Sequence, residues 1–489
     1  MIRTLFVSVV CALSGVGAVP ADVDNPFGIA WSFLYGYQGA KAERYMPQLR
    51  QLGAGNTKIY VFWNQIEPEK GQYDWSAVDA FVDQLHSPGE GLIAVFSSSM
   101  WATRRASAML PPSPAKNMDD YYRFIHALVL HCKGRVRYWQ NDAEPNDPIY
   151  WSGTREEFAE ELRVFHKAVK DADPAAIVVA GGYDGLFNPP GMFPYPTQKY
   201  GLDFFDYVIA NASDAFDVFD LRLYGDPYTI PWRVEHIREM MRAHGHEKPI
   251  ICTEYNGPGF FEFSQNRPYV GIVMKWAQSL AAEGKGTGES EVAALYAKTN
   301  MLAPQTQMFM EGCSAELQRK LERLQARDLV MRNVLALSAG VRRTMFWDLW
   351  HDTSQRNDMM HLMYAKLQLL EYEGGALTKR YPLADAFARM TKALSGLESV
   401  TRIAVPDRPS ICLFEVKRAN RQPGFVVWER RDTFSGEDHP PVPFDWTWES
   451  AEATATNALG EPVAATVKDG RIHLLISVTP VFVASGGQN

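Results

Sequence analysis

Residues 57–98 read TKIYVFWNQIEPEKGQYDWSAVDAFVDQLHSPGEGLIAVFSS, and their pattern indicates the fold class. It holds two short runs rich in β-branched and aromatic residues, Thr57–Trp63 and Leu92–Ser98. A longer segment with the composition of a helix separates them. A strand, a helix and a second strand in this order predict one unit of a parallel sheet with crossover helices.

The same alternation extends from about residue 26 to residue 350 and contains eight candidate strands. Eight parallel strands are the number that closes a barrel, so the sequence predicts an α/β fold of the (β/α)8 TIM-barrel type. The candidate strands are Phe27–Trp31, Thr57–Trp63, Leu92–Ser98, Val136–Asn141, Ile177–Gly181, Val218–Tyr224, Pro249–Thr253 and Arg343–Trp347.

The first 21 residues have the features of a secretory signal peptide. Arg3 is followed by an apolar run from Leu5 to about Val19, and small residues close it. We therefore expect the mature protein to be secreted or periplasmic. No later segment approaches the roughly 20 apolar residues of a membrane helix, so no membrane span is predicted.

Composition changes mark two further domains. The barrel is predicted over residues 22–397, with a helical insertion at about 275–330 that either walls the cleft or packs as an ordinary helical pair. Residues 398–489 alternate short strands with turns, which predicts a C-terminal β-sandwich. This domain either supports the barrel or binds carbohydrate through Trp428, Trp446 and Trp448.

Charge, cysteine spacing and motif content exclude several functional classes. The net charge is −8 and no Lys/Arg block occurs, so no nucleic-acid partner is expected. The four cysteines after the signal region show no Cys-x-x-Cys spacing, and their disulfide pairing stays open: Cys132, Cys252, Cys313 and Cys412. Neither a metalloprotease, a phosphate-binding nor an esterase motif is present, and we predict no metal and no cofactor.

Two glutamates follow strands that lie on different sides of the predicted barrel. Glu144 follows the fourth strand in YWQNDAEPN (138–146), and Glu254 ends the seventh in KPIICTEYNGP (248–258). Catalytic groups of such barrels lie at the carboxyl ends of strands. Hydrolysis of an acetal requires a proton donor at the leaving oxygen and an anion at the anomeric carbon. We expect the two carboxyls to be roughly 5 Å apart, the spacing of a retaining mechanism.

These motifs resemble the glycoside hydrolase clan with catalytic glutamates on strands four and seven, clan A. The run WNQIEPEKGQYDW (63–75) is similar to the clan's segment after strand two. A barrel followed by a sandwich ending in Pro-Val-Phe-Val is most similar to family 39, the β-xylosidases and α-L-iduronidases. The resemblance implies a retaining hydrolase of oligo- or polysaccharides, with Glu144 as acid/base and Glu254 as nucleophile. It also implies that Trp347 stacks on the sugar and that Tyr224 hydrogen-bonds the nucleophile.

Three residues depart from the clan's pattern. Ala143 stands where the clan usually has an Asn that contacts the sugar 2-hydroxyl, so either Asn141 or Asp142 replaces it or the substrate differs at that carbon. Arg222 stands where many relatives have His, and Lys58 where relatives often carry Arg. These two cations either recognise an acidic sugar or keep Glu254 ionised.

Aromatic side chains after strands are further candidates for sugar binding. Trp31, Trp63 and Trp101 each follow a strand and are candidates for contact with substrate; the alternative for each is a place in the core or in the cleft wall without direct contact. Two other functions remain compatible with the residues. One is a barrel that binds carbohydrate without cleaving it, and the other is a transglycosylase.

Overall fold

A computed structural model describes residues 25–30, 42–283, 286–350, 359–373, 375–419 and 422–486. The predicted signal peptide and Trp31 lie outside these ranges. Within them, no helix combines the length and the apolar character needed to cross a bilayer.

The predicted barrel is confirmed. Eight parallel strands pair in chain order, and the first closes onto the eighth with Phe27 opposite Thr344. They are β1 Phe27–Ala30, β2 Asn56–Phe62, β3 Gly91–Phe96, β4 Tyr138–Asn141, β5 Ile177–Tyr183, β6 Val218–Leu221, β7 Ile250–Tyr255 and β8 Thr344–Phe346. The strands are buried on both faces, as expected for a barrel enclosed by helices.

Helices surround the barrel, and several have clear start signals. In α5, Thr154 and Glu157 form a reciprocal capping box, and the Asn117 side chain caps α4. The helices up to the seventh strand are α1 Ala42–Gln51, α2 Trp63–Ile66, α3 Ser76–Val82, α4 Met118–His131, α5 Arg155–Ala172, α6 Gln198–Asn211 and α7 Ile230–Ala243.

The long segment between β7 and β8 is helical. It contains α8 Val270–Glu283, α9 Glu289–Tyr296, α10 Pro304–Gln307 and α11 Ala315–Ser338. Most of the second half of α11 is buried against the barrel. The earlier part forms a separate apolar cluster around Phe260, Phe309 and Leu321, which α12 (Met359–Tyr364) joins. The segment is therefore one barrel helix preceded by an additional helical layer.

The C-terminal region is a β-sandwich, as predicted. A hairpin and a helix lead into it: β9 Leu370–Glu373, β10 Ala376–Arg380 and α13 Pro382–Ala393. One sheet has the order β11-β12-β13-β18-β15 and the other β14-β17-β16. The strands are β11 Leu397–Ile403, β12 Ile411–Arg418, β13 Gly424–Glu429, β14 Val442–Thr447, β15 Ala453–Asn457, β16 Ala465–Lys468, β17 Arg471–Ile476 and β18 Val481–Ser485.

The tryptophans of this domain are structural. Trp446 and Trp448 are buried in the core between the two sheets. Trp428 is fully buried, and its Nε1 donates a hydrogen bond to the Tyr228 hydroxyl of the barrel at 2.9 Å. The alternative of a sugar-binding face built from these rings is therefore wrong. The four cysteines are free thiols.

An ion-pair cluster joins the sandwich to the barrel. Glu437 accepts hydrogen bonds from Arg323 at 2.7 Å and from the buried Arg327 at 2.6 Å. Burial raises the pKa of Glu437, but the two arginines outweigh it and hold this pKa at about 2. The carboxylate thus connects α11 to the second domain.

Replacement of Glu437 by Gln should lower the free energy of unfolding at pH 7 by about 1–3 kcal/mol, because three charge-assisted hydrogen bonds, two from Arg323 and one from Arg327, weaken. Because the pKa of Glu437 is about 2 in the folded protein and about 4.5 when unfolded, the ionised carboxylate stabilises the fold above pH 4.5. This contribution is lost as the pH falls from 4.5 towards 2. Urea denaturation of the wild type and of Glu437→Gln from pH 7 to pH 3 should show that the difference between their free energies of unfolding becomes smaller at lower pH. Asp438→Asn, at an exposed neighbour, is the control, and an equal loss there would contradict the assignment.

Candidate active site

Glu144 lies in the loop after β4, on an unusual backbone. Its φ is +49°, and Asp142 has φ +51°; one other non-glycine residue among those described, Asp469, shares this left-handed region. Such conformations cost on the order of 1–3 kcal/mol each and cluster at functional sites. The turn directs the Glu144 carboxyl into a cavity, with 16% of its side chain exposed.

Glu254 is held by two cations and a hydroxyl. The Lys58 ammonium on β2 lies 2.6 Å from its Oε1, and Arg222 Nη1 pairs with its Oε2. The Tyr224 hydroxyl donates to Oε2 at 3.2 Å. Lys58 and Arg222 are completely buried, so their charges act through an interior with little water.

Arg222 connects the two glutamates. Its Nη1, which pairs with Glu254, also lies 3.9 Å from Glu144 Oε1, and its Nε lies 3.2 Å from Asp220 Oδ2. Lys58 donates a further hydrogen bond to Thr253 Oγ1 at 3.0 Å. Both cations are thus engaged by carboxylates of the protein, which favours a role in holding Glu254 over recognition of an acidic sugar.

The environment raises the pKa of both glutamates. For Glu144, burial is the main cause; Arg222 opposes it and Asp147 adds to it. For Glu254, burial again raises the pKa, while the charge and hydrogen bond of Lys58 lower it. Lys58 therefore favours the carboxylate form of Glu254. Burial also lowers the pKa of Lys58 to about 8.

These shifts predict a displaced pH profile for any reaction that needs Glu254 ionised and Glu144 protonated. A raised pKa delays ionisation of Glu254 as the pH rises, so the acid limb of kcat/KM should lie above 4.5, the usual value for Glu. A raised pKa of Glu144 keeps its proton to higher pH and moves the alkaline limb upwards. Rates measured from pH 3 to pH 10 test this, with Glu144→Gln expected to lose the alkaline limb. An acid limb at or below pH 4 would contradict it.

Both glutamates line a cavity of about 710 Å³ at the carboxyl ends of the strands. Arg222, Tyr224 and Trp347 also line it. Trp347 follows β8, and its ring meets Tyr364 edge-on with 5.1 Å between centroids. The structure thus places five residues of the sequence prediction around one cavity, and Lys58 directly behind Glu254.

Three predicted substrate contacts do not reach this cavity. Trp63 is fully buried, stacks on Phe124 of α4 at 4.9 Å and donates to Glu67 Oε2 at 2.8 Å. The chain enters α2 at Trp63, which turns the ring outwards under α4. Trp101 donates to the Glu67 carbonyl at 3.0 Å and packs against Trp63. Trp63 thus takes the alternative place in the core, and the half-buried Trp101 does not line the cavity that holds the two glutamates.

Asn141 is the third predicted substrate contact that does not line the cavity, and neither does the adjacent Asp142. The Asn141 amide donates to the Tyr121 hydroxyl of α4 at 3.0 Å, on the outer face of the barrel. Asp142 accepts from the backbone and hydroxyl of Ser97 at 3.0 and 3.1 Å. Neither side chain takes the place of the Asn amide that the clan usually has at position 143. Strand alternation points Asn141 to the outer face of the barrel, and Asp142 is bound to Ser97.

Asn256 is the functional candidate that the sequence analysis missed. It lies two residues after Glu254, is 1% exposed and lines the cavity. Neither polar atom of its amide has a hydrogen-bond partner among the described residues. A buried amide in this state is costly unless a ligand pairs with it. Its position directly after β7, the strand that carries Glu254, is the sequence signal that could have identified it.

Further acidic side chains line the cavity near Glu144. Asp147 and Asp184 line the cavity beside Glu144, and burial followed by the charge of Glu144 raises the pKa of Asp184 to about 7. Across the described parts of the chain, no group of three or more His, Cys, Asp or Glu side chains is arranged to hold a metal ion.

Comparison by sequence finds no match, either to a protein-family model or to a curated protein. Solved structures do resemble the chain. A family 39 glycoside hydrolase from Bacteroides cellulosilyticus WH2 has a TM-score of 0.61 at 14% identity, covering 95% of this chain and 82% of that one. A monomeric β-xylosidase from Caulobacter crescentus CB15 has a TM-score of 0.55 at 13% identity, covering 96% and 98%.

A family 51 α-L-arabinofuranosidase from Bifidobacterium longum is similar to a comparable extent. Its TM-score is 0.55 at 11% identity, with 96% of each chain covered. Identities this low establish shared architecture over nearly the full length and leave the chemistry to the site itself. The chain therefore has the barrel-and-sandwich fold of family 39 and family 51 glycoside hydrolases.

Proposed function

We propose that the protein is a retaining glycoside hydrolase that cleaves O-glycosidic bonds by double displacement. The observation that carries this proposal is the pair of carboxyls, Glu144 and Glu254, which share one cavity and one guanidinium nitrogen of Arg222. Burial raises the pKa of both carboxyls, but Glu254 is paired directly with Lys58 and Arg222, which fits a nucleophile. Glu144 lies 3.9 Å from Arg222, which fits a general acid. The shared fold with glycoside hydrolases supports the same conclusion.

In the first step, Glu254 would attack the anomeric carbon while Glu144 gives its proton to the departing oxygen. A bond from Glu254 Oε to carbon forms as the glycosidic bond breaks. In the second step, Glu144 would take a proton from water, whose oxygen attacks the same carbon and releases Glu254. The anomeric configuration is retained because the carbon is inverted twice.

The sugar would lie between Trp347 and the strand ends. Trp347 offers a flat apolar face, and Tyr224 orients the nucleophile through its hydroxyl. Because Lys58 and Arg222 are engaged by Glu254, we propose a neutral rather than an acidic sugar. We also propose export of the enzyme, on the basis of the signal-like residues 1–21.

We propose that the Asn256 amide hydrogen-bonds a sugar hydroxyl and so replaces the Asn that the clan usually has at the position of Ala143. Asn256→Ala should lower kcat/KM by about 10- to 100-fold, the usual loss for a buried hydrogen bond of about 1–3 kcal/mol. The loss should shrink on a substrate that lacks the contacted hydroxyl. Steady-state kinetics on a matched pair of glycosides and deoxyglycosides measures this. Asn188→Ala, at a buried amide paired with Phe193, is the control, and an equal loss with both variants would count against the contact.

Trapping of the covalent intermediate tests the mechanism as a whole. A fluoro-sugar with a good leaving group should inactivate the enzyme and add one sugar to the peptide that contains Glu254, as read by mass spectrometry. A barrel that only binds carbohydrate would remain unlabelled. Labelling of a different residue would overturn the assignment of Glu254, and a dominant elongated product in the presence of an added acceptor sugar would favour a transglycosylase.

A further inference from the structure

The roof of the cavity is the helix α8. It begins at Val270, in the segment that follows β7, and its other end is held from the opposite side of the site. Arg105, in the loop after β3, donates from Nη1 to the Ala281 carbonyl at 2.7 Å. A helix of 14 residues extends about 21 Å. α8 therefore spans the barrel mouth from the β7 side to the β3 side.

The surface that α8 turns towards the cavity is apolar. Six of its eight lining residues recur at helical spacing and form one stripe: Val270, Val273, Met274, Ala277, Gln278 and Ala281. Gln278 is the one polar member. We call this set the α8 stripe. Trp276 and Ala282 line the cavity on the two flanks of this stripe. The other side of the helix carries a charge pair, Lys275 with Glu291 of α9.

The α8 stripe is not packed into the core. None of its side chains falls in the buried class; the five apolar ones are half-buried and Gln278 is exposed. Apolar neighbours extend the wall on either side, with Phe260 and Phe261 after β7 and Met363 of α12. Apolar surface that lines a cavity without being covered gains most from an apolar ligand.

The reacting glutamates and the helical layer contribute different kinds of groups to the cavity. Glu144, Glu254 and Arg222 lie at or just after strand ends, whereas the added helical layer contributes the α8 stripe and one carboxylate, Glu262, which is paired with Arg332. A sugar needs a polar partner for each buried hydroxyl, and this stripe offers one amide along its length. The loop that carries Glu144 also contributes Ile149 and Tyr150 to the same cavity, on the side from which the leaving oxygen is protonated.

We infer that the α8 stripe binds a bulky apolar aglycone, so that the substrates are glycosides of hydrophobic alcohols rather than unmodified polysaccharides. This inference rests on the proposed hydrolase activity and specifies its substrate class. A cavity of about 710 Å³ lies in the upper part of the roughly 300–1,000 Å³ range of small-molecule sites. It accommodates a sugar together with an apolar group.

A series of alkyl glycosides tests the inference. A panel of aryl glycosides first identifies the sugar that the full-length protein cleaves. Methyl, butyl and octyl glycosides of that sugar are then compared below micelle-forming concentrations. Alkanols of different length are similarly poor leaving groups, so the series varies mainly in apolar surface. We expect kcat/KM to rise by up to about fourfold for each methylene that the wall covers, and by at least about 100-fold from methyl to octyl.

Paired variants locate the effect on α8. The double substitution Val273→Thr with Met274→Gln keeps side-chain size and makes the stripe polar. It should lower kcat/KM for the octyl glycoside about tenfold or more and leave the methyl glycoside nearly unchanged. Lys275→Gln, on the other side of the same helix, should behave as the wild type. Thermal unfolding of each variant confirms that the fold is kept.

The outcomes separate this inference from the proposed function. Hydrolysis with a flat dependence on chain length would overturn the aglycone assignment and leave the hydrolase intact. A chain-length effect that survives the double substitution would place the apolar site elsewhere and likewise overturn it. No cleavage of any aryl or alkyl glycoside would overturn the proposed function and, with it, this inference.

Discussion

Replacement of Glu254 by Gln is expected to lower kcat by about five to six orders of magnitude, the loss seen when a catalytic nucleophile is removed. The amide cannot form the glycosyl ester, and it carries no charge to stabilise the developing cation at the anomeric carbon. Gln is preferable to Ala because its carbonyl can still accept the hydrogen bond that Lys58 now gives to Oε1. Single-turnover and steady-state rates on the best aryl glycoside measure the loss.

The same substitution leaves Lys58 and Arg222 with less compensating charge in the interior. Removal of one partner from a buried ion pair destabilises a fold by about 3–5 kcal/mol, so thermal unfolding must accompany the kinetics. Glu156→Gln removes an exposed carboxylate at the start of α5 and should leave kcat unchanged. A folded Glu254→Gln protein with more than about one per cent of wild-type kcat would contradict the nucleophile assignment.

Replacement of Glu144 by Ala should lower kcat about 10²- to 10⁴-fold on glycosides with poor leaving groups, which need protonation by a general acid. Aryl glycosides with strongly acidic phenols should lose much less in the first step, because their leaving oxygen needs no proton. The Ala side chain also opens space beside the anomeric carbon. Added azide should therefore restore turnover and give a glycosyl azide of retained configuration.

A leaving-group series measured for both proteins tests this prediction. The dependence of the first step on the acidity of the phenol should be steep in Glu144→Ala and shallow in the wild type. Asp184→Asn removes a second buried carboxyl from the same cavity and is the matched control. Equal slopes in wild type and variant, or an azide product of inverted configuration, would exclude Glu144 as acid/base.

The barrel was predictable because its signal is repeated. Each strand is a short apolar run bounded by polar residues, and eight such runs lie in the correct order even where their ends differ by one to three residues from β1–β8. The two glutamates were found for the same reason, since a strand end can be read from the sequence. The chemistry assigned to them drew on resemblance as well as on position.

Side-chain direction was the part that sequence did not determine. Asn141 ends β4 and Ala143 follows two residues later, yet the first contacts Tyr121 outside the barrel and the second lies at the mouth. Trp63 was assigned to substrate because it follows a strand, but an immediate turn into α2 buries it. The roof over the cavity also escaped prediction in detail, because no local pattern shows which face of α8 meets the barrel.

The guanidinium shared by the two glutamates has a consequence for the order of events in the reaction. When Glu254 becomes a neutral ester, Arg222 loses its closest anion while remaining 3.9 Å from Glu144. Asp220, 3.2 Å from the Nε of Arg222, and Glu144 are then the carboxyls that remain beside it, so its positive charge acts more strongly on Glu144 than before and raises the acidity of that residue. The residue that began as a proton donor would thus become a carboxylate able to accept a proton from water. One fixed cation would in this way couple formation of the ester at Glu254 to the change of Glu144 from proton donor in the first step to proton acceptor in the second, without any movement of the backbone.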